Sequence, residues 1–313
     1  MSVSALLRRL PLLLTLAAAW ANPASAQQPN AQQAEQLQAR IAALAARLDA
    51  PARQHLLDDQ AHWEKSRQPA CAAGLLETVE CLSVLYEERI ALIDDLLACP
   101  RYPFASQQAL IQTAHQNRLH IYAAYPRFDG TSANFASLNN GMVEVLGKMA
   151  TTLRQAIDAA PPSQELWGYH QAYRLHCTSD VAISIEISNY AYGAGAAHPA
   201  SMSMGVLIDL RTGGVMPPQT LFAPDSHWRE RLTAFVVRDL KRQLEAKGND
   251  DMPSAADMTR LMSEDRRFVF RRGRLVVVFD SGEIPPYSDG PRTVEIPYPV
   301  LRPFLAADAP LTD

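Results

Sequence analysis

Four cysteines are the feature that most constrains the fold of this chain: Cys71, Cys81, Cys99 and Cys177. An even number in an exported protein is typical of disulfide bonds, and four cysteines allow three pairings. In one straight helix, Cys71 and Cys81 would lie about 15 Å apart, whereas a disulfide requires Cα atoms within about 7 Å. A Cys71–Cys81 bond therefore requires the chain to reverse near Gly74, and it leaves Cys99 and Cys177 as the remaining pair.

The N-terminus predicts export. Arg8 and Arg9 precede an apolar run of 11 residues, Leu10 to Trp20, and an A-x-A cleavage site ends at Ala26. This is the pattern of a secretory signal peptide. The run is too short to cross a bilayer, which needs about 20 residues, and no other apolar run of that length follows. We therefore expect a periplasmic protein without a membrane span.

The charge balance narrows the class of partner. The whole chain has 29 basic and 33 acidic residues, and two of the arginines lie in the signal segment, so the mature chain has 27 basic residues and a formal charge of −6. Nucleic-acid binding favours a basic surface, which this balance does not predict. A basic partner is weakly favoured.

The apolar spacing predicts a helical N-terminal half. After a Gln-rich tail at 27–35, expected to be disordered, Leu37, Ile41, Leu44 and Leu48 recur at helical spacing. Residues 52–99 follow as a helical hairpin. The acidic residues near its end are predicted to form a solvent-exposed helix face: Glu87, Glu88, Asp94 and Asp95.

From about residue 118 the pattern changes to α+β. A helix is predicted at 137–157, strands at 169–177, 181–189 and 202–209, and a β-hairpin at 268–279. Because the strands follow one another without intervening helices, we expect a largely antiparallel sheet packed on helices that lie on one face. The predicted organisation is a signal peptide at 1–26, a tail and helix at 27–51, a disulfide-stapled helical hairpin at 52–99 and an α+β domain at 118–308.

The sequence contains none of the common catalytic or metal-binding motifs. H-E-x-x-H, G-x-S-x-G, Walker A, C-x-x-C and Rossmann glycine patterns are all missing. His170 and His176 fall on one predicted strand about 20 Å apart, too far to share a metal ion. We therefore predict a binding protein rather than an enzyme, with no catalytic residue, no metal site and no cofactor.

The first of two candidate loops follows a predicted strand at 190–199. Tyr192 leaves the strand, Gly195 and Ala196 permit a close backbone approach, and His198 is fixed by the proline after it. A histidine in such a loop can contact a ligand, act as a base or serve as a hydrogen-bonded strut that shapes the loop. The four residues are candidates for partner binding.

The second candidate loop spans residues 281–290. Pro285 and Pro286 stiffen it, and Tyr287 lies at its tip. A tyrosine on a stiff loop can anchor a partner at low entropic cost. The alternative is a tyrosine that folds back onto its own domain.

These loops carry a family resemblance. From about Ile121 onward the chain resembles the extracellular domain shared by the lysozyme-sensing anti-sigma factor RsiV and the peptidoglycan deacetylase PdaC. The matching segments are 125–130, 139–140, 192–199, 209–213, 221–222 and 284–290. The resemblance implies a mixed α/β fold in which the loops around Gly195–His198 and Pro285–Tyr287 enter the active-site cleft of lysozyme. The chain departs from the family pattern Gly-Gly-Ala-His, which is Gly195-Ala-Ala-His198 here, and lacks the deacetylase's metal-binding signature, so only a sensing or binding domain is implied.

The predicted hairpin at 52–99 resembles a second family, the small LprI-type lysozyme-inhibitor domain. The residues that carry this resemblance are Leu57, Gln60, Trp63, Arg67, Cys71, Cys81 and Arg89. Many proteins with such a domain have no established function, so its presence does not by itself imply inhibition.

Two classes of function follow. The first is a periplasmic protein that recognises or inhibits lysozyme-like muramidases, or binds peptidoglycan, by placing the two loops in a substrate cleft. The second is an envelope structural or assembly factor that binds another protein through the helix at 36–48 and the hairpin. Carboxylates distant in sequence can still meet in space, which leaves a cell-wall hydrolase or deacetylase open as a third reading.

Overall fold

The computed structural model describes residues 30–71, 78–130, 133–160, 165–193, 195–196 and 198–312. The predicted signal peptide and the chain reversal predicted near Gly74 lie outside these residues.

The described residues form a mixed α+β structure. Its helices are α1 Ala31–Ala45, α2 Ala50–Cys71, α3 Thr78–Ala98, α4 Ala133–Ala159, α5 Trp228–Glu245, α6 Ala255–Met262 and α7 Tyr298–Leu301. Its strands are β1 Ala105–Ala114, β2 Leu119–Phe128, β3 Trp167–Cys177, β4 Ala182–Tyr192, β5 Ala200–Asp209, β6 Gly214–Val215, β7 Phe268–Arg271, β8 Arg274–Phe279 and β9 Arg292–Pro297.

The strands form two sheets. The first has the order β1-β2-β3-β4-β5-β6, and only its β2–β3 pair is parallel, because α4 returns the chain between these strands. The second sheet has the order β7-β8-β9 and is antiparallel. The prediction of a largely antiparallel sheet packed on helices is confirmed.

The helices pack against both faces of the first sheet at β2, whereas the sequence predicts helices on one face. Leu119, Ile121 and Ala123 share a buried cluster with α4, whereas Tyr122 and Ala124 belong to the cluster that contains the first three helices. Alternate residues of a strand point to opposite sides, so these clusters lie on the two faces. The crossover from β2 to β3 places α4 on the face of the sheet opposite to the first three helices.

The N-terminal helices form a disulfide-stapled unit. Leu37, Ile41 and Leu44 of α1 are buried, and α1 packs along α3. The Cys71–Cys81 disulfide joins the end of α2 to the start of α3, and Cys99–Cys177 joins the end of α3 to the end of β3. Both predicted pairings are confirmed.

The residues that carry the resemblance to the LprI-type domain mostly make contacts between α2 and α3. Trp63 is buried, lies edge-on to Tyr86 and has the guanidinium carbons of Arg67 and Arg89 at 5.4 and 5.8 Å from its ring centre. Leu57 is the exception, because it is exposed. The buried residues of this set therefore contribute to the packing of α2 on α3.

Two acidic residues of α3 bind the sheet, contrary to the prediction of a solvent-exposed face. Glu88 Oε1 lies 2.6 Å from His170 Nε2, and the carboxylate of Asp95 accepts two hydrogen bonds from Arg174. The helical spacing that suggested a solvated stripe instead aligns these carboxylates with basic residues on β3.

The second sheet packs against β4 and β5 of the first sheet. Gly205 permits this approach, because a Cβ atom there would lie 2.2 Å from the carbonyl oxygen of Phe268. The amide of Phe270 donates a hydrogen bond to Ser184 Oγ at 3.2 Å. On the opposite side, Phe268 and Phe270 share a buried cluster with α5 and α6.

The first sheet and the first helix both begin earlier in the chain than the sequence predicts. β1 starts at Ala105 and pairs with β2, so the first sheet begins ahead of residue 118. α1 starts at Ala31, inside the tail expected to be disordered. Alanine and glutamine favour helix, and Gln33 donates a hydrogen bond to Ser83 of α3.

Candidate functional site

The structure brings the two predicted loops together. The rings of His198 and Tyr287 lie 5.6 Å apart between centroids. The Tyr287 hydroxyl donates a hydrogen bond to the backbone carbonyl of Pro199 at 3.0 Å. Tyr287 nevertheless remains 42% exposed. Tyr287 therefore folds back onto its own domain, as one of the two readings predicted, and its ring still faces solvent. We call residues 195–196, 198–199 and 281–290 the paired loops.

Backbone contacts fix the second loop to the start of β5. The Ser281 amide donates a hydrogen bond to the Ser201 carbonyl at 3.1 Å, and the Ser203 amide donates one to Asp280 Oδ1 at 3.0 Å. These contacts join β5, which follows the first loop, to Asp280 and Ser281 at the start of the second loop.

Gly282 determines the position of the Tyr287 ring. Its φ of +85° is in the left-handed region, and a Cβ atom there would lie 2.5 Å from Tyr287 Cδ2. Glycine is therefore required both for the turn and for the close approach of the ring.

Two adjacent arginines hold the base of the second loop. Arg267 is fully buried and donates two hydrogen bonds to the carboxylate of Glu283 at 2.5 and 2.7 Å. Arg266 donates one to Asp280 Oδ2 at 2.8 Å. Burial alone would raise the pKa of Glu283, but the hydrogen bonds from Arg267 and from the Asp280 amide outweigh it, so this pKa is lowered. The carboxylate is thus kept charged as an anchor.

A second pair of cations holds the end of the loop. Lys247 and Arg292 donate hydrogen bonds to Asp289 Oδ2 at 2.9 and 2.6 Å. The hydrogen bond from Lys247 is the main cause of the lowered pKa of Asp289. Arg292 also reaches the Pro285 carbonyl at 3.5 Å, and the Pro285–Pro286 peptide bond is cis.

The remaining predicted residues occupy less central positions. Gly195 has a φ of +75°, and the Ala196 amide donates a hydrogen bond to the Gly193 carbonyl at 3.0 Å. Both residues are exposed. Tyr192 is the last residue of β4, and it lines a cavity beside the first sheet together with Tyr122 and His170. Tyr192 therefore belongs to a different surface feature from His198 and Tyr287.

The hydroxyl of Tyr287 is engaged in a contact within the chain. The Tyr287 hydroxyl proton is engaged by a backbone carbonyl and not by the His198 imidazole. An activated nucleophile would need its base within hydrogen-bond reach. Elsewhere in the described chain, no cluster of three or more His, Cys, Asp and Glu residues could hold a metal ion.

Sequence reasoning missed the four cations that hold the second loop. Arg266 and Arg267 precede β7, Lys247 follows α5, and Arg292 begins β9. Because these four residues are distant from the loop in sequence, the sequence alone does not indicate that they pair with its carboxylates. The available signal was three acidic residues, with Asp280 directly before the loop and Glu283 and Asp289 within it.

Fold and site together define a disulfide-bonded α+β protein with two joined surface loops. The segment 219–299 matches the family described as protein of unknown function DUF3298. The matched segment runs from the turn before α5 to the start of α7 and includes Pro285, Pro286 and Tyr287. The first loop lies outside the matched segment.

Two crystal structures of DUF3298 family proteins are similar to the chain. One, from Pseudomonas aeruginosa PAO1, has 20% identity and a TM-score of 0.43, with 67% of this chain and 95% of that chain covered. The other, from Bacteroides fragilis NCTC 9343, has 15% identity and a TM-score of 0.40, with 65% of this chain and 94% of that chain covered.

No curated protein matches the chain. Within the described residues, no helix combines the length and apolar character that crossing a bilayer requires.

Proposed function

We propose that this is an exported binding protein whose paired loops enter the substrate cleft of a lysozyme-like muramidase. One observation carries the proposal: His198 and Tyr287, on loops far apart in sequence, form one continuous surface. The resemblance to the RsiV and PdaC domain implicates the same two loops. Such a protein would act by steric exclusion of the glycan and would need no catalytic group of its own.

Preorganisation supports a binding role for Tyr287. Its hydroxyl is held by Pro199, its ring lies against Gly282, and its loop is anchored by Arg267 and Arg292. A side chain that is already ordered loses little conformational entropy on binding. An exposed, fixed tyrosine is a common anchor at protein interfaces.

Charge and covalent structure are consistent with this proposal. The mature chain predicted from the sequence has a formal charge of −6, which favours association with a basic enzyme. The two disulfides suit an oxidising compartment such as the periplasm.

The test is calorimetric titration of the exported, oxidised protein with a panel of animal-type and phage-type lysozymes and with soluble peptidoglycan fragments. Lysozyme activity is measured in the same mixtures. We expect saturable binding to at least one lysozyme with loss of its activity. Binding to peptidoglycan alone would replace the muramidase with the cell wall as partner, and binding to neither would overturn the proposal.

Loop variants then locate the surface. Tyr287→Ala should weaken the binding by about 30-fold, the effect of removing a central anchor of about 2 kcal/mol. The control is Val300→Ala, because Val300 is 43% exposed but lies on α7. Equal affinities for Tyr287→Ala and the wild type would show that the partner binds elsewhere.

A further inference from the structure

One edge of the first sheet has no partner strand. β1 stands first in the sheet order, so among the described strands only β2 pairs with it. The strand at the opposite edge, β6, has two residues, whereas β1 has ten. A long unpaired edge presents a row of backbone N–H and C=O groups to which another extended chain can bind.

β1 carries none of the features that usually protect an edge strand. Proteins block such edges with charged side chains, prolines or bulges. The sequence of β1, ASQQALIQTA, contains no charged residue and no proline, and its ten residues pair with β2 in one uninterrupted register. The outer edge of β1 is therefore regular and open to pairing.

The register shows which backbone groups of β1 face away from β2. In an antiparallel pair, alternate residues exchange hydrogen bonds with the partner strand, and the residues between them direct N–H and C=O outward. Gln107 is opposite Pro126, which has no N–H, so Gln107 belongs to the outward set. In agreement, its amide donates a hydrogen bond to Asp59 Oδ1 of α2 at 2.6 Å. The next outward residues are Ala109, Ile111 and Thr113.

The backbone groups of these three residues have no partner on the outer side. Within the part of the chain that the structure describes, no backbone or side-chain group forms a hydrogen bond with them there. The three residues repeat about every 6.8 Å, which is the spacing of hydrogen-bonding groups along one side of an extended peptide. This row of donors and acceptors therefore selects a polypeptide backbone as its ligand.

The side chains of the same edge lead into a cavity of about 590 Å³ between the first sheet and the stapled end of the helical hairpin. Ile111 and Thr113 line the cavity from β1, and Tyr122 and His170 continue the row of Ile111 on β2 and β3. A strand bound to β1 would place one residue directly opposite Ile111, with the two Cβ atoms about 5 Å apart on this face. The side chain of that residue would point towards the cavity.

The cavity favours a large apolar side chain. Its described lining contains no lysine, arginine, aspartate or glutamate, and His170 is already paired with Glu88 at 2.6 Å. A charged side chain would lose hydration here without a free counterion, whereas an apolar one gains from burial. The residues that line the helical side are Pro69, Ala70, Cys81, Val84 and Leu85.

We propose that β1 binds an extended segment of a partner protein, which adds a strand to the first sheet and places one large apolar side chain in the cavity. Hydrogen bonds to the backbones of Ala109, Ile111 and Thr113 provide affinity, and the cavity selects the side chain. This surface is separate from the paired loops and does not depend on the function proposed for them.

The first test uses the probe peptide acetyl-Thr-Val-Thr-Trp-Thr-Val-Thr-amide with the full oxidised chain, and amide hydrogen exchange is followed by NMR. In the free protein, the amides of Ala109 and Ile111 should exchange much faster than those of Leu110 and Gln112, which face β2. Saturating peptide should slow exchange at Ala109 and Ile111 at least about tenfold.

Three results of this experiment would overturn the proposal. Slow exchange at Ala109 and Ile111 in dilute protein without peptide would mean that the edge is already covered. Protection that rises with protein concentration alone would assign the edge to a second copy of the chain. The third result is a lack of saturable peptide binding.

The central residue of the peptide tests the cavity. Alanine in place of tryptophan should weaken binding about tenfold or more, because the burial of a large apolar side chain is lost. Val84→Trp in the protein fills the cavity from α3 and should remove most of this preference. Val215→Trp is the control, because Val215 is exposed on β6 and does not line the cavity. An equal preference for tryptophan in the two variants would exclude the cavity as the side-chain site.

A proline substitution tests the backbone contact. Ile111→Pro removes an outward amide but no hydrogen bond to β2, and proline is tolerated at such edge positions. It should weaken peptide binding at least about tenfold, whereas Ile111→Val keeps the amide and should bind as the wild type does. Equal affinities for the two variants, with both folded by circular dichroism, would contradict strand addition at β1.

Two further variants keep the test decisive. Thr113→Pro removes the next outward amide at an exposed position and replaces Ile111→Pro if that variant does not fold. Tyr287→Ala should leave peptide binding unchanged, so failure at the β1 edge is distinguishable from failure at the paired loops.

Discussion

The hydroxyl of Tyr287 donates a hydrogen bond to the backbone carbonyl of Pro199, 88 residues earlier in the chain, at 3.0 Å. This bond and the contact between the Tyr287 and His198 rings join a loop of the second sheet to a loop of the first. The surface proposed to bind a partner therefore exists only when the two sheets are packed together.

Gly282→Ala should break this pairing. The added Cβ would lie 2.5 Å from Tyr287 Cδ2, so the ring has to move away from His198. The nuclear Overhauser effect between the two rings should be lost. Gly248→Ala is the matched control, because its φ of +73° imposes similar backbone strain but no atom lies within 4 Å of the added Cβ. Loss of the signal in both variants would mean that strain alone disrupts the loops.

Stability should depend on pH through His176, which lies between two carboxylates. Its Nε2 is 2.7 Å from Glu186 and its Nδ1 is 3.5 Å from Asp95. Burial lowers the pKa of His176, but the hydrogen bonds with Asp95 and Glu186 outweigh burial, so the pKa is raised above its ordinary 6.5. The stabilisation is therefore fully present below about pH 6.5 and is lost as the pH rises through the raised pKa.

Glu186 sets the acid limb of the same profile. Burial would raise its pKa, but hydrogen bonds from His176 and Arg271 lower it from 4.5 to about 2. This contribution is present above about pH 4.5 and is lost as the pH falls towards 2. We expect the free energy of unfolding, measured with urea, to be greatest between about pH 4.5 and about pH 6.5. His176→Gln should flatten the decline of the unfolding free energy above pH 6.5. The control is His62→Gln, an exposed position on α2, which should leave the decline unchanged. Equal declines in both variants would contradict the assignment to His176.

Arg89→Met should destabilise the protein strongly. Arg89 is 1% exposed, and it donates hydrogen bonds to Asp59 at 2.7 Å and to Gln60 at 3.1 Å. Removing it leaves the buried Asp59 carboxylate without its counterion, which costs about 3–5 kcal/mol. The control is Arg40→Met, because the Arg40–Asp94 pair is at the surface and contributes about 0–1 kcal/mol. Similar urea midpoints for the two variants would show that Asp59 does not depend on Arg89.

The two disulfides should differ in their contributions. The Cys99–Cys177 bond closes a loop with a sequence separation of 78, against 10 for Cys71–Cys81. Loop-closure entropy predicts about 4.5 kcal/mol for the longer loop and about 2.7 kcal/mol for the shorter one. The double variant Cys99→Ala/Cys177→Ala should therefore lose more stability in urea than Cys71→Ala/Cys81→Ala. The reverse order would point to native-state packing rather than loop closure.

The sequence predicted local structure well where a periodic pattern specifies it. The alternation at 181–189 predicted a strand that coincides with β4 from Ala182 onward, and the hairpin break at Arg272 and Gly273 separates β7 from β8. β1 was missed because its sequence, ASQQALIQTA, is half polar and does not alternate. Its burial comes from α2, which covers it, and therefore from tertiary contacts.

The candidate site was only partly predictable for the same reason. Loop composition identified His198 and Tyr287 but could not establish that they meet, since that contact depends on the packing of two sheets. Tyr192 was grouped with the loop because it is near in sequence, yet strand register places it beside Gly168 at the cavity. The roles of Glu88 and Asp95 depend on helix docking, which helical periodicity alone does not specify.

The most direct test of the central claim is competition between this protein and tri-N-acetylchitotriose for a lysozyme to which it binds. The trisaccharide occupies the substrate cleft that the paired loops are proposed to enter. We predict that rising trisaccharide concentration lowers the apparent affinity of the protein in calorimetry and that Tyr287→Ala removes most of the binding. Simultaneous binding of the trisaccharide and the protein, with the affinity unchanged, would contradict the account.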